Sequence, residues 1–265
     1  MRISEPVADN RKRLQRFDLK SADGRSGRTV VIAGTVIVAI FAVVVVFAVM
    51  KSQHAKQDGA ASLTGSGDTV RVASSKLVTQ PGTHDPKVVV SFYEDFLCPG
   101  CGDFERSFGP TVSKLIDIGA IAADYSVVSI LDHPRNHNYP SRAGAASLCV
   151  ADESMDAYRR FRAALYSRNF QPSELASSFP DNAKLIEIAR EAGVVGKVPD
   201  CITSGKYLAK VAAEAALAKI SATPTIKIND DEYDPLTPDA LVAKIKAIVG
   251  AVPGIDMAVT ATTTS

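Results

Sequence analysis

A pair of cysteines at a strand-to-helix boundary constrains this 265-residue chain more than any other feature. The motif Cys98-Pro99-Gly100-Cys101 directly follows the apolar, strand-like run 87–93 and opens a helical stretch. This context places the first thiol at a helix N-terminus, where unpaired backbone N–H groups and the positive end of the helix dipole favour thiolate. The second thiol lies one helical turn later, close enough to form a disulfide with the first. The motif therefore predicts a strand, then a helix with a reactive thiol at its tip.

Disulfide exchange is the chemistry that this context favours. Cys98 is predicted as the attacking thiol and Cys101, one turn inside the helix, as the more buried resolving thiol. The alternatives are half of a zinc site, completed by other cysteines or histidines, and an inert structural bridge. The sequence contains no second C-x-x-C motif, so we expect no metal and no cofactor.

An uncharged run of 22 residues, 29–50, predicts a transmembrane helix. At about 1.5 Å per residue, the run is long enough to cross the roughly 30 Å hydrocarbon core of a bilayer. Eight basic residues precede the run and only Lys51 and Lys56 follow it closely. The positive-inside rule then leaves residues 1–28 in the cytoplasm and exports the rest of the chain. A cleaved signal peptide is the alternative, but its apolar region would be shorter, about 7–15 residues.

The part of the chain after the apolar run carries no basic patch. Its formal charge is −3, from 22 basic and 25 acidic residues, whereas residues 1–50 carry +4. We therefore expect no nucleic-acid partner. Residues 51–69 are small and polar, which predicts a flexible linker between the membrane and a domain over residues 70–250.

All four cysteines fall in the predicted exported part, which suits an oxidising compartment. Three pairings are possible, and the short loop of the C-x-x-C motif makes Cys98–Cys101 with Cys149–Cys201 the leading choice. Cys149 and Cys201 lie 52 positions apart, and we predict that they form a structural disulfide. The alternative is a second redox pair that relays electrons to the first.

The hydrophobic pattern of residues 70–250 predicts an α/β domain. A strand at 87–93, a helix at 101–118 and a strand at 121–130 form a βαβ unit, whose two strands should be parallel.

The rest of the chain is predicted mainly from helical periodicity. Pro110 predicts a kink or break of the first helix near Phe108. A helical block follows, and then two short strand-like segments and a final helix, with predicted bounds 141–166, 182–192, 205–220, 225–228, 232–233 and 238–249. Residues 251–265 show little periodic hydrophobicity, so we predict a disordered tail.

The dipeptide Thr223-Pro224 stands directly before a predicted strand. One interpretation is an ordinary strand-opening proline, since proline cannot donate to a sheet ladder. The other is a cis-proline turn that faces the cysteines and leaves the Thr223 backbone free to pair with an extended substrate.

Three features in combination resemble the DsbA-like branch of the thioredoxin superfamily: C-P-G-C after a strand, a helical block, and the segment Ala222-Thr-Pro-Thr-Ile226 near the end. More narrowly, the chain resembles the membrane-anchored DsbA-like proteins of actinobacteria, over roughly residues 70–250. This resemblance implies a thioredoxin fold with a helical domain inserted at about 141–220. It also implies that Cys98 attacks, that Cys101 resolves and that Pro224 is the cis-proline.

The sequence departs from that family at three places near the motif, one of which is Leu97, where thioredoxin-like sites usually have Trp. The dipeptide Pro99-Gly100 stands where the best-known members have Pro-His, and Phe92 occupies the position of their buried acid. Glu94 and Asp95 lie nearer the motif, and either is a candidate to relay the Cys101 proton. The alternative is that both are solvated loop carboxylates.

The sequence thus predicts a membrane-anchored, extracytoplasmic thiol:disulfide oxidoreductase, acting as an oxidase on cysteine-containing exported proteins through a Cys98–Cys101 disulfide. The resemblance implies that a quinone-linked membrane enzyme of the vitamin K epoxide reductase or DsbB type reoxidises the pair. One alternative is a reductase or isomerase that uses the same site. Another is an anchored binding or chaperone module with a non-catalytic or zinc-holding motif.

Overall fold

The described part of the chain in this computed structural model covers residues 69–194 and 196–258. These residues contain a mixed five-stranded sheet built from β1 Val70–Val72, β2 Val89–Glu94, β3 Ala122–Val127, β4 Thr225–Ile228 and β5 Asp231–Glu232. The strand order is β1-β3-β2-β4-β5. The β2 and β3 strands are parallel, as the βαβ prediction requires, and the other neighbouring pairs are antiparallel.

Helices account for most of the remaining described residues. Their bounds are α1 Pro99–Asp117, α2 Tyr139–Glu153, α3 Met155–Leu165, α4 Asn182–Glu191, α5 Val198–Ser204, α6 Leu208–Leu217 and α7 Pro238–Val249. Two 3₁₀ turns lie at Pro134–Asn136 and Ile255–Ala258. The α1 helix connects β2 to β3 and contacts α7, whereas α2 to α6 form the helical block between β3 and β4.

The α1 helix is fixed to the sheet by an aromatic contact near the cysteine motif. Phe92 points into the core from β2, and its ring centroid lies 5.9 Å from that of Phe104 on α1. The Phe104 ring stacks in turn on Phe108, at 4.6 Å between centroids. This apolar packing holds the first turns of α1, and with them the motif, at the end of the central strand β2.

The α1 helix runs unbroken through Pro110, so of the kink or break predicted near Phe108 the break is absent. Proline costs a helix one backbone hydrogen bond. Here, Phe108 and Val112 are buried on either side of the proline, and Leu115 is buried one turn further on. The burial of this apolar face offsets the lost bond.

The helical block differs from its predicted boundaries at two places. The helix expected at 141–166 is two helices, because Ser154 is extended (φ −161°) and its hydroxyl accepts a hydrogen bond from the Ala157 N–H, which starts α3. The α5 helix was not predicted. Gly205 ends it in the left-handed conformation (φ +67°), so the helix expected at 205–220 is the shorter α6.

The C-terminal segment is ordered further than the sequence predicts. Val252, Ile255 and Ala258 are buried in the core, and the Ala258 carbonyl accepts a hydrogen bond from Thr111 on α1. The prediction of disorder is therefore wrong for residues 251–258, because apolar side chains too few to show periodicity still find a site beside α1 and α7. Residues 259–265 lie outside the described residues.

The predicted cytoplasmic segment, transmembrane helix and linker, residues 1–28, 29–50 and 51–69, fall outside the described residues except for Thr69. Within the described part of the chain, no helix combines the length and the apolar character needed to cross a bilayer.

Candidate active site

The cysteine motif lies where the central strand β2 gives way to α1. Cys98 is the N-cap residue of α1, with extended backbone angles (φ −65°, ψ 120°), and Pro99 occupies the first helical position. The Cys98 N–H donates to the Asp95 carbonyl at 3.0 Å, which closes the turn that leads out of β2. Cys98 is 8 % exposed and Cys101 is fully buried. Only the first sulfur is therefore open to a partner.

The Thr223-Pro224 segment lies directly against this motif. Its peptide bond is cis. The Cys98 thiol donates a hydrogen bond to the Thr223 carbonyl, with 3.3 Å between sulfur and oxygen. A Cβ built on Gly100 would lie 3.3 Å from Cδ of Pro224, so the proline ring packs closely over the middle of the motif. The structure thus brings two sequence motifs 125 positions apart into one site.

The pKa values of the two thiols of the motif are shifted in opposite directions. Hydrogen bonding from Cys101, supported by Thr223 and by the N–H groups of Gly100 and Cys101, lowers the pKa of Cys98 to about 6 against the opposing effect of burial. Burial raises the pKa of Cys101 far above its ordinary value, and the adjacent Cys98 thiolate raises it further. Cys98 is accordingly ready to attack or to leave as a thiolate, while Cys101 holds its proton.

Asp95 and Glu94 are the two candidate proton relays, and of these Asp95 is the one next to the cysteine pair. It is fully buried, and its carboxylate accepts hydrogen bonds from the Leu97 N–H (2.8 Å) and the Leu131 N–H (2.9 Å). Burial raises its pKa to about 7, partly offset by these two bonds, and the Cys98 charge adds to the rise. The Asp95 backbone N–H also contacts the Cys101 sulfur.

Glu94 belongs to a different cluster. Its side chain forms a buried ion pair with Arg162 of α3, which also binds Glu105 of α1 at 2.8 Å. The Arg162 guanidinium lies 3.9 Å from the centroid of the Tyr125 ring. This cluster was not predicted from the sequence. The available signal was the position of Arg162 four residues after the core residue Tyr158, on the buried face of an amphipathic helix.

Cys149 and Cys201 form a disulfide that joins α2 to α5, with 5.8 Å between their Cα atoms. Cys98 and Cys101 are reduced. Among the described residues, no group of three or more His, Cys, Asp or Glu side chains is arranged to hold a metal ion.

Comparison with known proteins assigns the chain to a family. Residues 78–247 match the family model described as thioredoxin. The chain belongs to the thioredoxin family. Its mixed sheet, the cysteine motif at the start of α1 and the helices inserted before β4 agree with a DsbA-like member.

Solved structures narrow this assignment. The reduced disulfide bond oxidoreductase DsbG from Mycobacterium tuberculosis is 67 % identical, with a TM-score of 0.74 over 76 % of this chain and 97 % of that protein. Oxidised DsbA from the same organism is 68 % identical, with a TM-score of 0.73 over 74 % of this chain and all of the other. This member of the thioredoxin family is therefore a DsbA-like protein disulfide oxidoreductase.

Two more distant similarities add less. The thiol-disulfide oxidoreductase MdbA from Corynebacterium diphtheriae shares the fold, at 21 % identity and a TM-score of 0.56 over 71 % of this chain and 93 % of that protein. The serine/threonine-protein kinase PknE from Mycobacterium tuberculosis is 31 % identical over 139 residues, or 52 % of this chain. The match spans about a quarter of the length of that kinase (25 %).

Proposed function

We propose that this oxidoreductase is an oxidase that introduces disulfides into exported proteins. The observation that carries the proposal is the asymmetry of the two thiols, with the pKa of Cys98 lowered to about 6 and that of Cys101 raised. A stabilised Cys98 thiolate favours the reduced form of the pair, and this makes the Cys98–Cys101 disulfide readily reduced by a substrate. Such a disulfide accepts electrons from substrate thiols.

The proposed reaction transfers two electrons in two exchange steps. A substrate thiolate attacks Cys98, the Cys98–Cys101 bond breaks, and its electron pair leaves on Cys101, which takes up a proton. A second substrate thiolate then attacks the substrate sulfur of the mixed disulfide and releases Cys98 as a thiolate. The substrate has lost two electrons and gained a disulfide, and the cysteine pair is reduced.

We assign the proton transfer at Cys101 to Asp95 rather than to Glu94. Asp95 is buried beside the pair and has a pKa of about 7, so it can both give and accept a proton near neutral pH. The carboxylate of Glu94 is instead engaged by Arg162.

Thr223 and Pro224 are proposed as the substrate-docking segment. The Thr223 carbonyl already lies 3.3 Å from the Cys98 sulfur, so an extended substrate that pairs with this backbone would present its own cysteine to Cys98. Gly100 contributes by leaving room for the Pro224 ring.

The proposed setting is the outer face of a membrane, with residues 29–50 as the anchor. The reduced pair then requires a two-electron acceptor, and we propose a quinone-linked membrane enzyme of the vitamin K epoxide reductase or DsbB type. The Cys149–Cys201 disulfide is proposed as a structural link within the helical block.

A Cys101→Ala variant tests direct exchange with protein substrates. Without the resolving thiol, we expect mixed disulfides between Cys98 and exported proteins to accumulate, visible as reducible high-mass bands on non-reducing gels. The Cys98→Ala/Cys101→Ala double variant is the control and should give none. Absence of adducts in the single variant, at equal expression, would exclude the proposed exchange.

A further inference from the structure

The side chain of Gln171 reaches the cysteine motif from the helical block. It follows α3 in the chain, and its Nε2 donates to the Cys98 carbonyl at 2.9 Å and, more weakly, to the Phe96 carbonyl at 3.4 Å. The Cys98 carbonyl also accepts the first helical hydrogen bond of α1, from the Gly102 N–H, at 3.2 Å. Gln171 thus supplies the shorter of the two bonds to the N-cap residue of the catalytic helix.

Arg106 of α1 sets the orientation of the Gln171 amide. Its Nη1 donates to Gln171 Oε1 at 2.9 Å, which turns the amide nitrogen towards the two carbonyls. Arg106 is itself held by the Tyr166 carbonyl and by Asp103 Oδ1, each at 2.6 Å. Two partners other than Gln171 therefore hold the guanidinium, and the guanidinium orients the amide.

Gly102, the residue after the resolving cysteine, provides independent evidence for this contact. A Cβ at position 102 would lie 1.9 Å from Gln171 Oε1 and 2.6 Å from Arg106 Nη1. Any side chain at this position would displace the amide. We call Gln171, Arg106 and Gly102 together the Gln171 clamp.

We propose that Gln171 is a positioning residue, which holds the Cys98 backbone so that its sulfur meets the donors that stabilise the thiolate. These donors are the Cys101 thiol, the Thr223 side chain and the N–H groups of Gly100 and Cys101. Cys98 has no side-chain cap of its own at the start of α1. The helical block therefore contributes to the redox centre directly, through the side-chain amide of Gln171. This proposal rests on the proposed function, because it takes Cys98 as the attacking cysteine.

The first test is the acidity of Cys98 in a Gln171→Met variant, which keeps the length of the side chain but removes its hydrogen bonds. We expect the titration midpoint, followed by thiolate absorbance in the reduced protein, to rise. The rate of Cys98 alkylation at about pH 5 should fall about threefold, since the thiolate fraction below the pKa changes tenfold per pH unit. The redox equilibrium with glutathione should shift towards the Cys98–Cys101 disulfide, because the thiolate of the reduced form is less stabilised.

Gln80→Met is the matched control, because Gln80 is exposed and its side-chain amide donates a weak hydrogen bond to the Pro86 carbonyl, at 3.5 Å, far from the cysteine motif. It should leave the midpoint, the alkylation rate and the glutathione equilibrium at wild-type values. Thermal unfolding of both variants separates a loss of positioning from a general loss of stability, which alone would not move the midpoint of the folded protein.

A second test uses the steric conflict at Gly102. Gly102→Ala should raise the Cys98 midpoint as Gln171→Ala does, since each removes the same hydrogen bond. The Gly102→Ala/Gln171→Ala double variant should resemble Gln171→Ala alone, because the amide that the new methyl group displaces is already gone. Additive effects, or wild-type midpoints in the folded Gln171 variants, would overturn the proposal.

The outcomes also separate this proposal from the proposed function. A Cys98 midpoint near 6 in the wild type that no clamp variant moves would reject only the positioning role. A wild-type midpoint near the ordinary thiol value of about 8.5 would remove the basis of the oxidase proposal itself.

Discussion

At the scale of single residues, the chemistry depends on one difference between two thiols three positions apart. Cys98 caps α1 and accepts hydrogen bonds from several donors, whereas Cys101 lies fully buried behind it. Burial disfavours a thiolate and hydrogen bonding favours it, so the same short helix turn yields an acidic and a non-acidic thiol. Since no histidine stands between these cysteines, the Cys101 thiol, the Thr223 side chain and backbone N–H groups supply the stabilisation.

The proton-relay role of Asp95 predicts a slow step in its Asn variant. When Cys101 must attack a mixed disulfide, it has to lose a proton, and ionised Asp95 is the proposed acceptor. Asp95→Asn should slow this step by about 10²-fold and abolish its rise with pH around 7, the pKa of Asp95. Stopped-flow reaction of Cys98 mixed disulfides across the pH range measures both effects.

Asp117→Asn is the control for that experiment, since Asp117 is an exposed carboxylate paired with Arg159. It should keep the wild-type rate and pH profile. Asn at position 95 leaves both the Leu97 and the Leu131 N–H without a charged acceptor, and one of them without any acceptor, so unfolding of the variant is measured alongside. An unchanged pH profile in a folded Asp95→Asn protein would exclude the relay.

The residues of the site differ in how visible they are in the sequence. Cys98 and Cys101 are marked by spacing and by context, and Thr223-Pro224 by its place before a strand. The sequence could not show whether Asp95 or Glu94 is the proton relay. Neighbouring side chains in an extended segment point to opposite sides, and the sequence does not show which side the cysteines occupy. Gln171 carries no local signal at all, since its partners are backbone carbonyls 73 and 75 positions away.

At the scale of elements, the disulfide between α2 and α5 should stabilise the helical block without taking part in exchange. A Cys149→Ala/Cys201→Ala variant is expected to lose about 4 kcal/mol of unfolding free energy, as the chain-entropy model gives for a loop of this length. Its Cys98–Cys101 equilibrium with glutathione should equal that of the wild type. Chemical denaturation and a glutathione titration measure the two quantities.

The contrary outcome for that variant is specific. If electron transfer from substrates is lost while the folded state persists, then Cys149 and Cys201 act as a second redox pair. The sequence separation of Cys149 and Cys201 from Cys98 does not distinguish the two roles. Their disulfide joins α2 to α5 within the helical block, and this favours the structural role.

Element boundaries were the least predictable part of the fold. The βαβ unit follows from long, strongly apolar segments, and it is present as expected. The break at Ser154 depends on one hydroxyl that caps α3, and α5 is only seven residues long, so neither interrupts the helical periodicity enough to be seen. The unbroken passage of α1 through Pro110 depends on burial against the sheet, which a local rule for proline does not include.

At the scale of the whole molecule, the redox state and the pH should jointly set stability. The pKa of Cys98 is about 6 in the folded, reduced protein and about 8.5 in an unfolded chain. A lowered pKa contributes stability that is present above the unfolded value and is lost as the pH falls through the folded one. The reduced form should therefore gain stability over the oxidised form between about pH 6 and pH 8.

Urea unfolding of both redox forms at several pH values measures this difference. Asp95 is present in both forms, and only the part of its pKa rise that the Cys98 thiolate causes differs between them. Above about pH 8.5, the raised pKa of Cys101 works in the opposite direction, which limits the useful window. A Cys98→Ser protein lacks the titrating thiol and cannot form the disulfide, so its own free energy of unfolding should not rise from pH 6 to pH 8. If the reduced wild-type protein instead loses stability relative to the oxidised protein as the pH rises from 6 to 8, the assignment of the lowered pKa to Cys98 is contradicted.

The central claim is that the Cys98–Cys101 pair works as an oxidant, and its redox state in living cells tests this most directly. Acid quenching, followed by alkylation of free thiols with a mass tag, counts the reduced cysteines of the full chain, and the Cys98→Ala/Cys101→Ala variant gives the untagged reference. The account predicts a largely oxidised pair at steady state. A largely reduced pair would contradict it and would instead identify the protein as a disulfide reductase or isomerase.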